Sequence, residues 1–258
     1  MHIIDQFAYS NRIRRVDPAY KAGLALVIIV LCLALNELPV SVLAIAWMFF
    51  LSVQIAGLSV WTFGRILLVE FTFLLLATIG VIVSLSLTDP GSQATWSWSL
   101  GPLWFSSSPA SLDQGLTLIA RSLGCASAMN FLALTTPLVD LIDLLRRLRV
   151  PPILIDLMTL IYRFIFVLLE SLNRMATAQE SRLGYSSYRR GMVSAGLLGS
   201  RLFIDAYHRG QRMQLTLDSR AYGGGVLQVL PMTYYRDNKL LSFSLLVVVS
   251  LLGVWMVL

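Results

Sequence analysis

The chain has 258 residues, of which 57% are hydrophobic and only 13% charged, with a mean hydropathy of +0.74. Soluble domains carry about 25% charged residues, so this composition excludes a protein whose whole surface faces water, and lipid is a large part of its solvent. The net charge of +6 is read as membrane orientation and not as nucleic-acid binding, because Lys and Arg collect on the cytoplasmic side of a membrane protein.

Residues Met1 to Tyr20 are polar and carry Arg12, Arg14 and Arg15, without an apolar core and cleavage site, so no signal peptide is expected. Five apolar stretches follow that suit the roughly 20 residues a membrane span needs. They run from Ala19 to Leu35, Pro39 to Leu58, Gly64 to Thr88, Leu112 to Thr136, and Leu240 to Leu258.

The third stretch contains Glu70 and the fourth contains Arg121. Charges inside spans are costly and face a partner or a cavity. Counted from the ends of their stretches, their depths differ by only about 5 Å in a core of roughly 30 Å. The two are therefore expected to be able to pair, either as a structural ion pair or as part of a transport path.

A sixth apolar run, Ile153 to Leu169, competes for a place among the spans. The basic residues decide against it. Arg12, Arg14, Arg15 and Lys21 precede the first span, Arg65 lies in the second inner connection, and the connection from Asp89 to Ala110 has no Lys or Arg. That connection holds Trp96, Trp98 and Trp104, as an outer interfacial belt does. Pro137 to Lys239 carries fourteen of the twenty Lys and Arg residues, so it is expected on the cytoplasmic side. Ile153–Leu169 then lies on the membrane or against the spans. Its Asp156, Arg163 and Glu170, seven apart, form one polar stripe.

About one hundred residues between two spans are too many for a loop. They read as helices. Leu138 to Leu148 is amphipathic, with Asp140 and Asp143 early and Arg146, Arg147 and Arg149 late, an order that suits the helix dipole. Pro151-Pro152 breaks it. One long helix is expected from Ile153 to Leu183 with Gly184 as its cap. A second is expected from Val193 to Ala221, ended by Gly223-Gly224-Gly225. Its Gly196, Gly199, Phe203, Tyr207 and Gly210 lie opposite Arg201, Asp205, Arg209 and Arg212. A buried glycine face predicts a close helix crossing.

The two long helices end alike. Glu180-Ser181-Arg182-Leu183-Gly184 and Asp218-Ser219-Arg220-Ala221-Tyr222-Gly223 repeat acid, Ser, Arg and an apolar residue thirty-eight positions apart. Two readings stand. Arg in a last turn complements the helix dipole. Alternatively, two equivalent arginines project their rigid donor forks towards a partner with two equivalent sites.

Motifs for chemistry are missing from the sequence. The histidines are His2 and His208 and the cysteines Cys32 and Cys125, with no HExxH, no paired Cys and no Walker A loop. No enzyme activity, bound metal or cofactor is expected. A self-contained secondary transporter would show broken or charged midplane helices in repeated halves, whereas this chain offers only Glu70 and Arg121. A membrane docking scaffold unrelated to transport is the remaining alternative.

Several segments taken together resemble the transmembrane T component of energy-coupling factor (ECF) transporters, in particular its cobalt branch, CbiQ. They are Asp5-Gln6-Phe7-Ala8-Tyr9-Ser10-Asn11-Arg12 with Val16-Asp17-Pro18 and Lys21; Thr135-Thr136-Pro137 with Leu145-Arg146-Arg147-Leu148-Arg149-Val150-Pro151-Pro152; and Tyr162-Arg163-Phe164 with Glu170. The echoing ends are similar to that family's paired X-Arg-X motifs, here Ser181-Arg182-Leu183 and Ser219-Arg220-Ala221.

The resemblance implies an all-α polytopic membrane protein of a bacterial cytoplasmic membrane, with about five transmembrane helices and a cytoplasmic domain of long crossing coupling helices. Residues 1–136 would hold the cytoplasmic N-terminus and four spans, residues 137–238 the coupling domain, and residues 239–258 the last span with an outside C-terminus. It implies two ABC-type ATPase subunits docking at the two arginines. It also implies a cobalt-binding, CbiM-like S component on the coupling helices, which would shift with the ATPases; Gly196, Gly199, Arg163 and Glu170 are the residues expected to serve that movement.

Overall fold

The computed structural model describes residues 3–82, 84–86, 96–100, 103–107, 109–221, 234–235 and 238–257. In lipid a helix satisfies its own backbone hydrogen bonds, and each apolar stretch becomes one. The chain opens with α1 (Ile3–Ser10), α2 (Pro18–Leu35) and α3 (Leu38–Phe50). The last turn of α3 widens into a π-helical turn, Leu51–Ile55, so Leu38–Ile55 forms one continuous apolar helix. Then come α4 (Val60–Ile82), α5 (Pro109–Thr135), α6 (Leu138–Arg147), α7 (Pro152–Ser181), α8 (Tyr188–Asp218) and α9 (Asn238–Val257). Asp17 starts α2, its Oδ1 accepting from the Ala19 amide at 3.0 Å with Pro18 in the first turn.

The connection between α4 and α5, expected as a loop, carries a small antiparallel sheet. Its strands β1 (Ser84–Ser86), β2 (Trp96–Leu100) and β3 (Leu103–Ser107) lie in the order β1-β3-β2. Trp96, Trp98 and Trp104 sit on β2 and β3; the direction of their side chains, on which the interfacial belt depends, lies outside what is described. Apart from this sheet the protein is an all-α polytopic membrane protein. Five helical stretches are long and apolar enough to cross a membrane: Pro18–Leu35, Leu38–Ile55, Val60–Ile82, Ser111–Thr135 and Pro152–Ser181. In α9 the apolar stretch is the shorter Leu241–Met256.

The chain divides into two compact units. One is His2–Pro137 with Met232–Leu258; the other is Leu138–Pro231. In the first, α5 is the central helix and packs on α1, α2, α3 and α4, while α9 packs on α2 and α3. The core includes Ile28, Val40, Ala44, Met48, Phe63, Phe131 and Leu251. Small residues set the closest approaches, as expected where lipid removes the hydrophobic drive between helices. A Cβ on Gly124 would come within 3.1 Å of the Cys32 Sγ, and one on Gly115 within 2.8 Å of Ile82.

The C-terminal end of α5 is held by polar groups. Lys21 is fully buried and its Nζ donates to the Thr135 carbonyl at 3.1 Å. The Asn11 amide donates to the same carbonyl at 3.1 Å and to Ala8 O at 2.8 Å. A cation and an amide on the last carbonyls of a helix satisfy its open acceptors and its dipole. The segment before α2 is tied down as well: Val16 bridges Tyr235, with the Tyr235 amide donating to Arg15 O at 2.9 Å.

Glu70 and Arg121 do not pair. Both Glu70 oxygens accept from Asn130 Nδ2, at 2.9 and 3.0 Å, and Arg121 Nη1 donates to Asn36 Oδ1 at 2.8 Å. The depth comparison failed because α5 has 27 residues, about 40 Å of helix, more than a membrane core. Glu70 is level with Asn130, nine residues further along α5 than Arg121 and so about 13 Å from it along the helix axis.

In the second unit α6 ends with an Arg147–Asp143 ion pair at 3.1 Å, and Arg149 adopts a left-handed φ of 62°. Helices α7 and α8 run antiparallel. Ser194 Oγ donates to Gly184 O at 3.0 Å near the turn, and Ser171 Oγ donates to Asp205 Oδ2 at 2.9 Å further along. Helix α8 starts five residues earlier than expected because Ser187 caps it, accepting from the Arg190 amide.

Among the described residues no helix packs on the glycine face of α8. Helix α8 meets α7 through the side that carries Ser194, Asp205 and Met213. Gly196, Gly199, Phe203, Tyr207 and Gly210 are all exposed, and a Cβ on any of the three glycines would meet nothing within 4 Å. Two side-chain hydrogen bonds, from Ser171 of α7 to Asp205 and from Ser194 of α8 to Gly184 in the turn, select the other face of α8, which apolar periodicity alone does not distinguish.

Candidate partner-docking site

The two echoing helix ends share a left-handed residue directly after the arginine. Arg182 is the last residue before a reversal, and Leu183 after it is left-handed at φ 57°. Arg220 is followed by Ala221 at φ 54°. The expected cap, Gly184, is not the left-handed residue: it sits one position later, its amide donating to Gln179 O at 2.8 Å while the Leu183 amide donates to Glu180 O at 2.9 Å. These two bonds make a Schellman ending. Glycine is required at 184 for space, since a Cβ there would come within 2.7 Å of Ser194 Oγ and 2.9 Å of the Gln179 carbonyl.

A left-handed conformation costs a residue with a Cβ about 1 kcal/mol. Both ends carry that cost immediately after the arginine, at the two apolar positions of the echo. A left-handed residue is a common helix ending, and Asn36 after α2 and Arg149 after α6 adopt it as well. The two serines turn back into their helices: Ser181 Oγ donates to Thr177 O at 2.9 Å and Ser219 Oγ to Thr216 O at 3.0 Å. Ser181, Arg182, Leu183, Ser219, Arg220 and Ala221 are all exposed. Neither the Arg182 nor the Arg220 guanidinium has a hydrogen-bonding or ion-pair partner among the described residues. Helix-dipole complementarity therefore accounts for their position in the chain but does not use their donors.

Distance separates the two arginines. They flank the 31-residue helix α8, about 46 Å long. One pocket cannot receive both, so the arrangement suits two separate receiving sites.

The other expected residues fall elsewhere. Glu170 pairs with Arg174 at 2.8 Å, an exposed i,i+4 contact of little energetic weight. Arg163 lines an open cleft between α7 and α8 together with Arg220. Asp205, which receives Ser171 and the Arg209 Nε at 3.1 Å, is held below the usual carboxylate range, first by the Ser171 hydroxyl and then by Arg209. Glu70 and Arg121 belong to the membrane unit, each with an amide partner. Read from the sequence, Asn130 and Asn36 had no role, Asn11 none beyond family resemblance, and Lys21 only one in membrane orientation and in that resemblance. Asn130 was detectable as the polar residue of its span nearest the depth of Glu70. Among the described residues no group of three or more His, Cys, Asp or Glu is placed to hold a metal ion.

Comparison with known proteins gives this geometry a context. The family model described as CbiQ, cobalt transport protein, matches residues 10–230. The chain is 32% identical over 223 residues to the cobalt transport protein CbiQ of Salmonella typhimurium, covering 86% of this chain and 97% of that protein. It is 31% identical over 225 residues to a putative fused cobalt transport protein CbiMQ of Methanocorpusculum labreanum, covering 86% of this chain but 37% of the fusion. It is 24% identical over 193 residues to the energy-coupling factor transporter transmembrane protein EcfT of Limosilactobacillus fermentum, covering 69% of this chain and 70% of that protein.

Proposed function

We propose that this chain, which belongs to the CbiQ family of cobalt transport proteins, is the energy-coupling transmembrane subunit of an ATP-driven ECF-type cobalt uptake transporter. The observation that carries the coupling role is the pair of matching helix ends. Each presents an exposed, unpartnered arginine before a left-handed residue, at opposite ends of a helix about 46 Å long. We assign Arg182 and Arg220 to two ABC-type ATPase subunits, each arginine entering an acidic or carbonyl-lined groove with its flanking residues against the rim.

The other face of α8 is assigned to the substrate-binding S component. Gly196, Gly199 and Gly210 leave backbone bare beside exposed Phe203 and Tyr207, which suits a helix of a membrane partner that approaches closely and slides. The CbiMQ name of one relative supports a CbiM-like protein in that role. ATP-driven closure of the ATPases would move the two ends of α8, and α8 would pass the movement to the S component. Cobalt crosses with that partner, not on ligands of this chain.

The orientation follows the basic residues. Pro137–Lys239 and the N-terminus are assigned to the cytoplasm and the C-terminus to the outside, with α7 lying along the membrane instead of crossing it. A gentle detergent pull-down of the tagged full chain, with mass spectrometry of what it retains, tests the assignment. ABC ATPases together with a small membrane protein are expected. Cobalt uptake by the chain alone after reconstitution would overturn it in favour of a secondary transporter.

A further inference from the structure

Between α7 and α8 lies an open cleft of about 570 Å³, within the range of a ligand pocket. Arg163 on α7 and Arg209, Arg212 and Arg220 on α8 line it, and no acidic side chain does. Arg209 is committed to Asp205 at 3.1 Å and Arg212 feels the same carboxylate, whereas Arg163 makes no hydrogen bond or ion pair with a described residue. Four guanidiniums, Arg220 at the rim among them, share that one carboxylate and leave the cleft with a net positive charge that an anion would neutralise. The floor is apolar, with Phe164 and Val167 of α7 facing Met213 and Leu217 of α8. The ligand that fits is an amphiphile with a phosphate-like head and a hydrocarbon body.

The rest of α7 identifies the source. Its apolar part, within Pro152–Ser181, is as hydrophobic as the membrane spans and almost wholly exposed. Ile153, Leu157, Ile161 and Ile165 are exposed on either side of Arg163. A helix this apolar meets lipid, and a basic cleft beside it meets headgroups. Arginine forks bind phosphate with two parallel hydrogen bonds.

We infer that this cleft binds the headgroup phosphate of an anionic phospholipid, with Arg163 and Arg212 as its principal donors and the first acyl carbons on Phe164 and Met213. A lipid held there fixes the depth of the α7–α8 hairpin at the membrane surface. The inference rests on the reading of α7 as lying along the membrane surface, and not on the ATPase-coupling role.

The test uses the full chain in nanodiscs of phosphatidylcholine mixed with phosphatidylglycerol, and counts retained lipids by native mass spectrometry. The unsubstituted protein is expected to retain phosphatidylglycerol over phosphatidylcholine. R163Q/R212Q is expected to lower that retention about 30-fold, and the double substitution R189Q/R190Q at the exposed start of α8 to leave it unchanged. Equal retention of the two lipids by the unsubstituted protein overturns the inference, a result that needs no variant to fold. So does undiminished retention in a helical R163Q/R212Q. Displacement of phosphatidylglycerol by inorganic phosphate at matched concentration overturns it as well, by showing a free-anion site.

Discussion

Replacing both Arg182 and Arg220 by Ala separates docking from folding. Both side chains are exposed and make no hydrogen bond or ion pair with a described residue, so the fold loses little beyond the last-turn dipole contribution, about 0.3–1 kcal/mol each. A buried interface arginine is a typical hot spot, worth about 2 kcal/mol or more when truncated. Each substitution should therefore weaken its ATPase contact about 30-fold. Because α8 holds the two sites about 46 Å apart, their effects should add, and the double variant should lose about a thousandfold. The assay is titration of the purified ATPase pair onto the reconstituted chain, run beside a melting curve in the same detergent. Expected is an unchanged melting temperature, a collapse of ATPase binding and loss of cobalt uptake. Wild-type ATPase affinity in the double variant would refute the reasoning and leave the arginines as helix-end charges.

Four further outcomes follow from particular contacts and exposed positions. Gly184→Ala should destabilise the α7–α8 hairpin by about 1–3 kcal/mol, read as faster proteolysis at the turn, because its Cβ comes within 2.9 Å of the Gln179 carbonyl. Gly196→Ala and Gly199→Ala meet nothing within 4 Å and should stabilise α8 by up to about 1 kcal/mol each; uptake lost in these well-folded variants would report an outside partner, and unaltered uptake would remove the glycine face from the mechanism. Asn130→Leu leaves the Glu70 carboxylate without both bonds of 2.9 and 3.0 Å and should cost about 1.5–3 kcal/mol, with Glu70→Gln in the same background restoring part of the lost melting temperature. A cysteine in place of exposed Arg189 should react with an impermeant thiol reagent only after cells are opened, and labelling of intact cells would reverse the orientation.

Much of the architecture is a local property and was legible from residues in order. Apolar length made α2, α3, α4 and α5 spans, and Asp140, Asp143, Arg146 and Arg147 marked both ends of α6. The echo of Glu180-Ser181-Arg182-Leu183 in Asp218-Ser219-Arg220-Ala221 needed only the sequence, because residues next to each other in a helix end share one backbone environment.

Other features depended on what each helix faces. In lipid, apolar residues point to partners and to solvent alike, so a hydrophobic pattern does not say which side of a helix is an interface. Glu70 found Asn130 and Arg121 found Asn36 only once α5 had taken its full length between neighbours. Helix α8 turned its Ser194 and Asp205 side to α7 and left the glycines uncovered, the reverse of what small residues alone suggested. The left-handed turns at Leu183 and Ala221 were hidden for the same reason: neither residue type prefers that conformation, and the bonds that close each turn run back along the helix. Composition and spacing determined that this chain lives in a membrane and ends two helices with matched arginines. Tertiary packing decided which groups those helices keep for themselves and which they leave exposed.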